Sequence, residues 1–234
     1  PYLEALKTNE ELADVSDMLA LDSLLASTSD DTFVGDVDGV LDLEMMASYL
    51  AVDRATSNAD GIRGFYCYGF GVTECENANY YWYGEPGAET HLIPWDLDYA
   101  LTEPNDDLGR SMSDNSPEAC EPVSFCEYWG QTDCTPDELE IHLLPPQCDR
   151  LYGMVHRATW PRYLEELERL GNGPLARANI VPYVEGIRAK IRDAVAEDVF
   201  GPPIQLFDAE NEWLDETLEQ QLHEIQLLLA EQSP

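Results

Sequence analysis

Asp96 and Asp98, spaced i, i+2 at the end of the short apolar run His91-Leu92-Ile93-Pro94-Trp95-Asp96-Leu97-Asp98, are the carboxylates in this sequence best placed for chemistry. On a strand that spacing puts both on one face, and on a turn it lets them converge. Asp60, in Asn58-Ala59-Asp60-Gly61, and Asn79, heading Asn79-Tyr80-Tyr81-Trp82-Tyr83, add two further oxygen ligands from loops or strand starts. Hard oxygen donors gathered this way suit a magnesium ion that bridges phosphates. Phosphoryl transfer asks for little else: metal ligands, a carboxylate that orients the nucleophile, and positive groups for the phosphates. Each residue also has a plainer reading. Asp96 and Asp98 would then be a turn pair accepting backbone hydrogen bonds, Asp60 a helix-to-strand turn residue, and the tyrosines alternate-facing strand residues.

The elements around these residues can be read from periodicity and turn chemistry. Residues 10–26 carry Leu12, Val15 and Leu19 at helical spacing, with Asp14 and Asp17 outward. Residues 27–38 form an acidic, Ser/Thr-rich loop. Asp36-Val37-Asp38-Gly39 has the look of a calcium loop, but its first ligand position falls on Val34 and its last on Met45, so that reading fails. Asp42 caps a second helix with Met45, Met46, Tyr49, Leu50 and Val52 as its buried stripe. That helix ends near Asn58 and delivers Asp60 on a loop held by a rigid element.

Strands are expected over 64–70, 79–83 and 90–93. Gly84-Glu85-Pro86-Gly87 is a strong turn signal joining the last two into a hairpin. Such a hairpin would carry Asn79 at its start and Asp96 just past its end, on the same side. Residues 102–147 are rich in Pro, Asp, Ser and Cys and read as a long insert rather than a domain. Helices follow at 149–170, with Pro161 marking a kink or a break, and at 175–199, with Ile180, Val184, Ile187, Ile191 and Val195 on one face. A last amphipathic helix spans 211–231, where Leu214, Leu218, Leu222, Ile225 and Leu229 make a docking face.

Composition narrows the function classes. The chain has 234 residues, 44% of them hydrophobic, enough for one substantial core. Against 12 Lys and Arg stand 47 Asp and Glu, a formal net charge of −35. That field repels nucleic acid and anionic membranes, and is compatible with a basic partner or a salty medium. No run approaches the roughly 20 apolar residues of a membrane span. His91, His142, His156 and His223 form no cluster, and no Gly-x-Ser-x-Gly or Cys/His nucleophile pattern is present.

The six cysteines fall into two local groups, Cys67 with Cys75, and Cys120, Cys126, Cys134 and Cys148. No Cys-x-x-Cys spacing exists and only His142 lies near the second group, which argues against zinc. Three disulfides in an oxidising compartment are expected, one of them Cys67–Cys75, the other two among the remaining four cysteines.

The chemistry-bearing blocks, taken together, resemble a known family. Asp60-Gly61, then Asn79-Tyr80-Tyr81 with Tyr83, then Ile93-Pro94-Trp95-Asp96-Leu97-Asp98, are similar to the signature of the CotH kinase family, spore-coat and secreted proteins with an atypical protein-kinase-like fold. The Pro-Trp-Asp-x-Asp block is the specific part of the match, which runs from about residue 7 to residue 198. The resemblance implies that Asp60 is the catalytic aspartate, Asn79 a metal ligand, and Asp96 or Asp98 the metal-binding aspartate that follows. Two departures stand out. An insert, residues 62–78, separates Asp60 from Asn79. The family's nucleotide-gripping half, with its glycine-bearing strands and basic phosphate ligands, has no counterpart here, so the sequence is expected to be the later portion of a longer protein and inactive as a kinase by itself.

The resulting expectation is an α+β chain of protein-kinase-like type, mainly a helical C-lobe with a small antiparallel hairpin carrying the metal site. Residues 1–200 would be the partial kinase domain with its insert at 102–148, and 201–234 a C-terminal helix packing on the same domain. The implied activity is phosphoryl transfer from ATP, with Mg²⁺ or Mn²⁺, to Ser/Thr of an extracellular or surface protein, the substrate being basic or Ser/Thr-rich. Two other classes compete: a secreted surface or adhesive module that keeps the fold without transfer, and an extracellular domain in which Asp60, Asn79 and Asp96 hold calcium.

Overall fold

A computed structural model describes Lys7 and residues 10–12, 14–58, 61–62, 65–68, 74–76, 79–84, 88–97, 99–101, 108, 120, 123–124, 126, 135 and 141–232. At its N-terminal end Glu10–Leu12 form a 3₁₀ turn, and Asp14 then accepts hydrogen bonds from Ser16 N at 3.0 Å and Ser16 Oγ at 2.7 Å. That local capture competes with helix formation, so the helix expected over 10–26 starts only with α1, Ser16–Ser27. Its apolar face also differs from expectation. Leu12 and Leu19 are exposed, while Leu21 is buried and Leu24 and Leu25 pack on the core.

The segment expected to be a plain acidic loop contains a short helix, α2, Phe33–Asp36. Phe33 and Val37, four apart, are both fully buried. Burying one such side chain is worth about 1.5–3 kcal/mol, which outweighs the acidic surroundings that disguised the pair in sequence. Asp36 accepts from Thr28 Oγ1 at 2.6 Å and closes the turn.

Helix α3, Leu43–Ala55, begins as predicted at Asp42, whose Oδ1 accepts from Met45 N at 2.8 Å. Met46, Tyr49 and Leu50 are buried and Met45 partly so, but Val52 faces solvent. The buried positions at 46, 47, 50, 51 and 55 define a face that Val52 does not share.

Among the described residues the strands make two sheets. In the first, β1 (Phe65–Tyr68) pairs with β2 (Glu74–Glu76) and with a strand from the cysteine-rich region; the order is β2-β1-β6-β5, all antiparallel, with β5 at Val123–Ser124 and β6 at His142–Leu144. The region read as an insert thus supplies half of this sheet. Its partner Cys67–Cys75 disulfide spans β1 and β2, and Cys120–Cys148 closes a second loop. Cys126 is disulfide-bonded as well, while Cys134 lies outside the described residues. The second sheet is the predicted hairpin of β3, Tyr80–Tyr83, and β4, His91–Pro94.

Three long helices complete the chain: α4 (Arg150–Asn172), α5 (Arg177–Glu197) and α6 (Ile204–Glu231). Asp149 caps α4 by accepting from Tyr152 N at 2.9 Å, and the helix continues through Pro161 without a break. The core lies where α3, α4 and the second half of α6 meet, and Leu50, Val155, Tyr163, Leu167, Ile225 and Leu228 are among its fully buried members. Helix α5 behaves otherwise. None of its residues is buried, and Ile187 and Ile191 of the expected apolar face are exposed. It faces α6 through the ion pairs Arg188–Asp215 (2.7 Å), Arg192–Asp208 (2.8 Å) and Arg177–Glu219, while Ile180 packs partly on the core. Mixed helices with two small antiparallel sheets make the chain α+β. No helix among the described residues is long and apolar enough to cross a membrane.

Candidate functional site

The hairpin is fixed at both ends. At its far end Thr90 N donates to Val40 O at 2.8 Å, and His91 Nδ1 stands 3.3 Å from Asp42 Oδ2, so β4 starts against the N-terminus of α3. At its near end the ladder closes with Tyr80 opposite Pro94, and Trp95 N then donates to Asn79 O at 2.8 Å. Asn79 and Asp96 therefore occupy the same end of the hairpin. Both adopt left-handed backbone, φ 64° and 50°. Asn and Asp are the non-glycine residues that enter this region most readily, so the side chains suited to metal binding also shape the two turns. Asn79 is half-buried and Asp96 exposed.

The neighbouring turn at the end of α3 belongs to the same edge. Ser57 has φ 46°, and Asn58 folds back so that its N–H donates to Asp53 O at 3.0 Å and its Nδ2 to Asp53 Oδ1 at 3.1 Å. Gly61 N donates to Asn58 O at 3.4 Å. Leu101 N, five residues after Asp96, donates to Thr56 O at 2.7 Å. That bond links the turn that precedes Asn58 to the segment that follows Asp96. Asp60 and Asp98 lie outside the described residues. Among the described residues no group of three or more His, Cys, Asp or Glu is arranged to hold a metal ion.

Tyr80, next to Asn79, wedges the hairpin onto the helices. Its ring meets Tyr49 of α3 at 6.5 Å and Tyr152 of α4 at 6.2 Å, both edge-on, the arrangement that the ring quadrupoles favour. Burial pushes all three hydroxyls above the ordinary tyrosine value. The Asp53 carboxylate adds to the shift at Tyr49 and Tyr80, and Asp149 to that at Tyr80 and Tyr152. Burial likewise raises Asp149, partly offset by the amides of Tyr152 and Leu151. On the outer face Tyr81 stacks edge-on with Trp95 at 6.1 Å.

The sequence reading passed over Asp53. It is 4% exposed on a face of α3 shared with Tyr49 and Leu50, beside an equally buried Arg54. A carboxylate interrupting an apolar stripe was the available signal, since buried charges are rare unless partnered.

A family model described as CotH kinase protein matches residues 2–133. The chain belongs to the CotH kinase family. The match covers more than half of the sequence and takes in Asp60, Asn79, Asp96 and Asp98. It stops before α4, so the three long C-terminal helices of this CotH chain lie beyond it, short of the extent to about residue 198 expected from the motifs. No curated protein and no solved structure matches the chain.

Proposed function

We propose that this CotH chain carries the metal-binding and proton-accepting groups of a protein Ser/Thr kinase that uses ATP with Mg²⁺ or Mn²⁺. One observation carries the reading. The Trp95–Asn79 backbone hydrogen bond sets Asn79 beside the block that carries Asp96, and the Leu101–Thr56 bond links the turn after α3 to the segment that follows it. An amide oxygen and a carboxylate offered from one end of a hairpin are a donor set that fits a hard divalent cation. Asn79 and Asp96, with Asp98 as the alternative carboxylate, would hold it. The ion's part, when bound, is to neutralise charge on the transferring phosphates.

Asp60 would accept the hydrogen bond of the acceptor hydroxyl, orient it and take its proton. The net charge of −35 favours a basic acceptor protein. The Cys67–Cys75 and Cys120–Cys148 bridges support an extracellular or surface location, because such bonds persist in oxidising compartments.

The test is transfer of label from γ-³²P-ATP to a basic Ser/Thr-containing protein in Mn²⁺ by the full-length protein, alongside calorimetric Mn²⁺ titration. Asp60→Ala should abolish labelling and leave Mn²⁺ affinity intact, whereas Asn79→Ala and Asp96→Ala should lose both. Undiminished labelling in Asp60→Ala or Asp96→Ala would overturn the reading. Mn²⁺ binding without any labelling by the natural protein would assign a cation-binding module instead.

A further inference from the structure

Helices α5 and α6 run side by side, and only part of the pair lies on the core. Ile180 near the start of α5 packs there, as do Leu218, Ile225 and Leu228 in the second half of α6. Both apolar stripes continue past the core. Ile187 and Ile191 follow Ile180 by seven and eleven residues and share its side of α5. Phe207 and Leu214 precede Leu218 by eleven and four residues and share its side of α6. Over the outer part of the pair, residues 183–214, nothing among the described residues covers this side. Ile187 and Ile191 are exposed there, as are Leu206 and Trp213 on the border away from α5. The two helices are still tied together along this length by Arg192–Asp208 and Arg188–Asp215, and Arg188 Nη2 donates to Asn211 O at 2.9 Å. Apolar rows on two adjacent helices leave between them a groove that accepts a third helix, ridge into groove.

Charge identifies what that third helix carries. Glu210 lies between Phe207 and Leu214 on the same stripe, is exposed, and makes no ion pair among the described residues. Helix α6 has no Lys or Arg of its own, and its Asp208, Asp215 and Glu219 are engaged with arginines of α5. A carboxylate in an apolar stripe opposes a wholly apolar cover and attracts one that brings a cation to that point. Lys190, seven residues after Tyr183, borders the face on the far side of α5, so the partner's cations belong over α6. A second copy of the chain is disfavoured, because a formal net charge of −35 on each opposes self-association.

We propose that the outer part of the α5–α6 pair is a docking surface for a basic amphipathic helix of a partner protein. The apolar side of that helix covers Ile187, Ile191, Phe207 and Leu214, and an Arg or Lys on its flank pairs with Glu210. The surface lies beyond residues 2–133 of the family match and stands whether or not the chain transfers phosphate.

The experiment titrates the full chain calorimetrically, in about 0.15 M NaCl, with a synthetic helical peptide of about five turns. The peptide carries Leu at i, i+4, i+7 and i+11 and Arg along one flank. Its controls are a scrambled peptide of the same composition and a peptide with Glu in place of Arg. The Arg peptide should bind with a dissociation constant on the order of 10 µM, and the scrambled one at least about tenfold more weakly. Glu210→Arg should weaken the Arg peptide about tenfold and strengthen the Glu peptide by a similar factor. That gain cannot come from misfolding. Ile187→Asp, at an exposed position, should weaken the Arg peptide about tenfold as well.

Equal binding of the Arg and scrambled peptides, no binding of either, or unchanged preferences in Glu210→Arg would overturn the proposal. A chain that sediments as a dimer at about 10 µM and as a monomer in Ile187→Asp would overturn it too, assigning the face to a second copy. Val199 and Phe200, in the turn between the helices, are almost fully exposed. Binding to phosphatidylcholine vesicles through them, without binding of the Arg peptide, would make the pair a membrane-contacting element instead.

Discussion

The Leu101 amide donates to the Thr56 carbonyl at 2.7 Å, across 45 residues of sequence, and Leu101 adopts φ 59° to do so. This bond ties the turn after α3, which leads to Asp60, to the segment that follows Asp96. A leucine in left-handed backbone is strained by about 1 kcal/mol. The strain is tolerated because the hydrogen bond joins two segments that periodicity alone would leave independent.

The hairpin's hold on the helices should depend on Tyr80. Tyr80→Ala removes the ring between Tyr49 and Tyr152 and should destabilise the protein by about 3 kcal/mol in urea titrations. Tyr80→Phe keeps the ring and should cost less than about 1.5 kcal/mol. An equal loss in the two variants would show that the hydroxyl, not the ring, anchors the strand.

Alkaline pH should unfold the chain through the same cluster. Tyr49, Tyr80 and Tyr152 titrate above the ordinary value in the folded state because burial disfavours the phenolate. A raised folded pKa contributes stability that is complete below the unfolded value, about 10, and is lost as pH climbs toward the folded values. Absorbance at 295 nm should therefore show three tyrosines ionising only together with loss of the near-ultraviolet dichroism. Replacing all three by Phe should flatten the pH dependence above pH 10.

The two bridges should contribute unequally. Cys67–Cys75 closes a separation of 8 residues and Cys120–Cys148 one of 28. On chain-entropy grounds the first is worth about 2.5 kcal/mol and the second about 3.5 kcal/mol. Paired Ser substitutions compared by denaturant midpoint should show the larger loss for the second bridge.

Salt should stabilise the protein. With 47 acidic groups against 12 basic ones, screening relieves more repulsion than the attraction it removes from pairs such as Arg192–Asp208. Raising NaCl from about 0.05 M to about 1 M, which shortens the screening length to about 3 Å, should raise the melting temperature. A fall would mean that the Arg-to-carboxylate links between α5 and α6 dominate.

Much of the site's scaffold was legible in sequence because its signals are local. Asp42 caps α3 by reaching an amide three residues away, and β3 pairs antiparallel with β4 as the turn signal between them leads one to expect. The Cys67–Cys75 bridge follows from short spacing, and the hairpin put Asn79 and Asp96 at one end because antiparallel pairing leaves no other choice.

What only the tertiary structure decided was which faces find partners. The stripe on α5 reads as core in sequence, yet Ile187 and Ile191 remain exposed because no element lies over them among the described residues. Phe33 and Val37 look like loop residues and are buried because α4 passes above them. The pairing of β1 with β6 sets Phe65 opposite Leu144 in the ladder, across a cysteine-rich stretch that has no periodicity to announce it. Tyr80 serves as a wedge and Asp53 as a buried anchor through neighbours far away in the chain or one turn along it. Periodicity and capping report hydrogen bonds that a segment makes with itself, whereas burial depends on the surface that another segment brings to it.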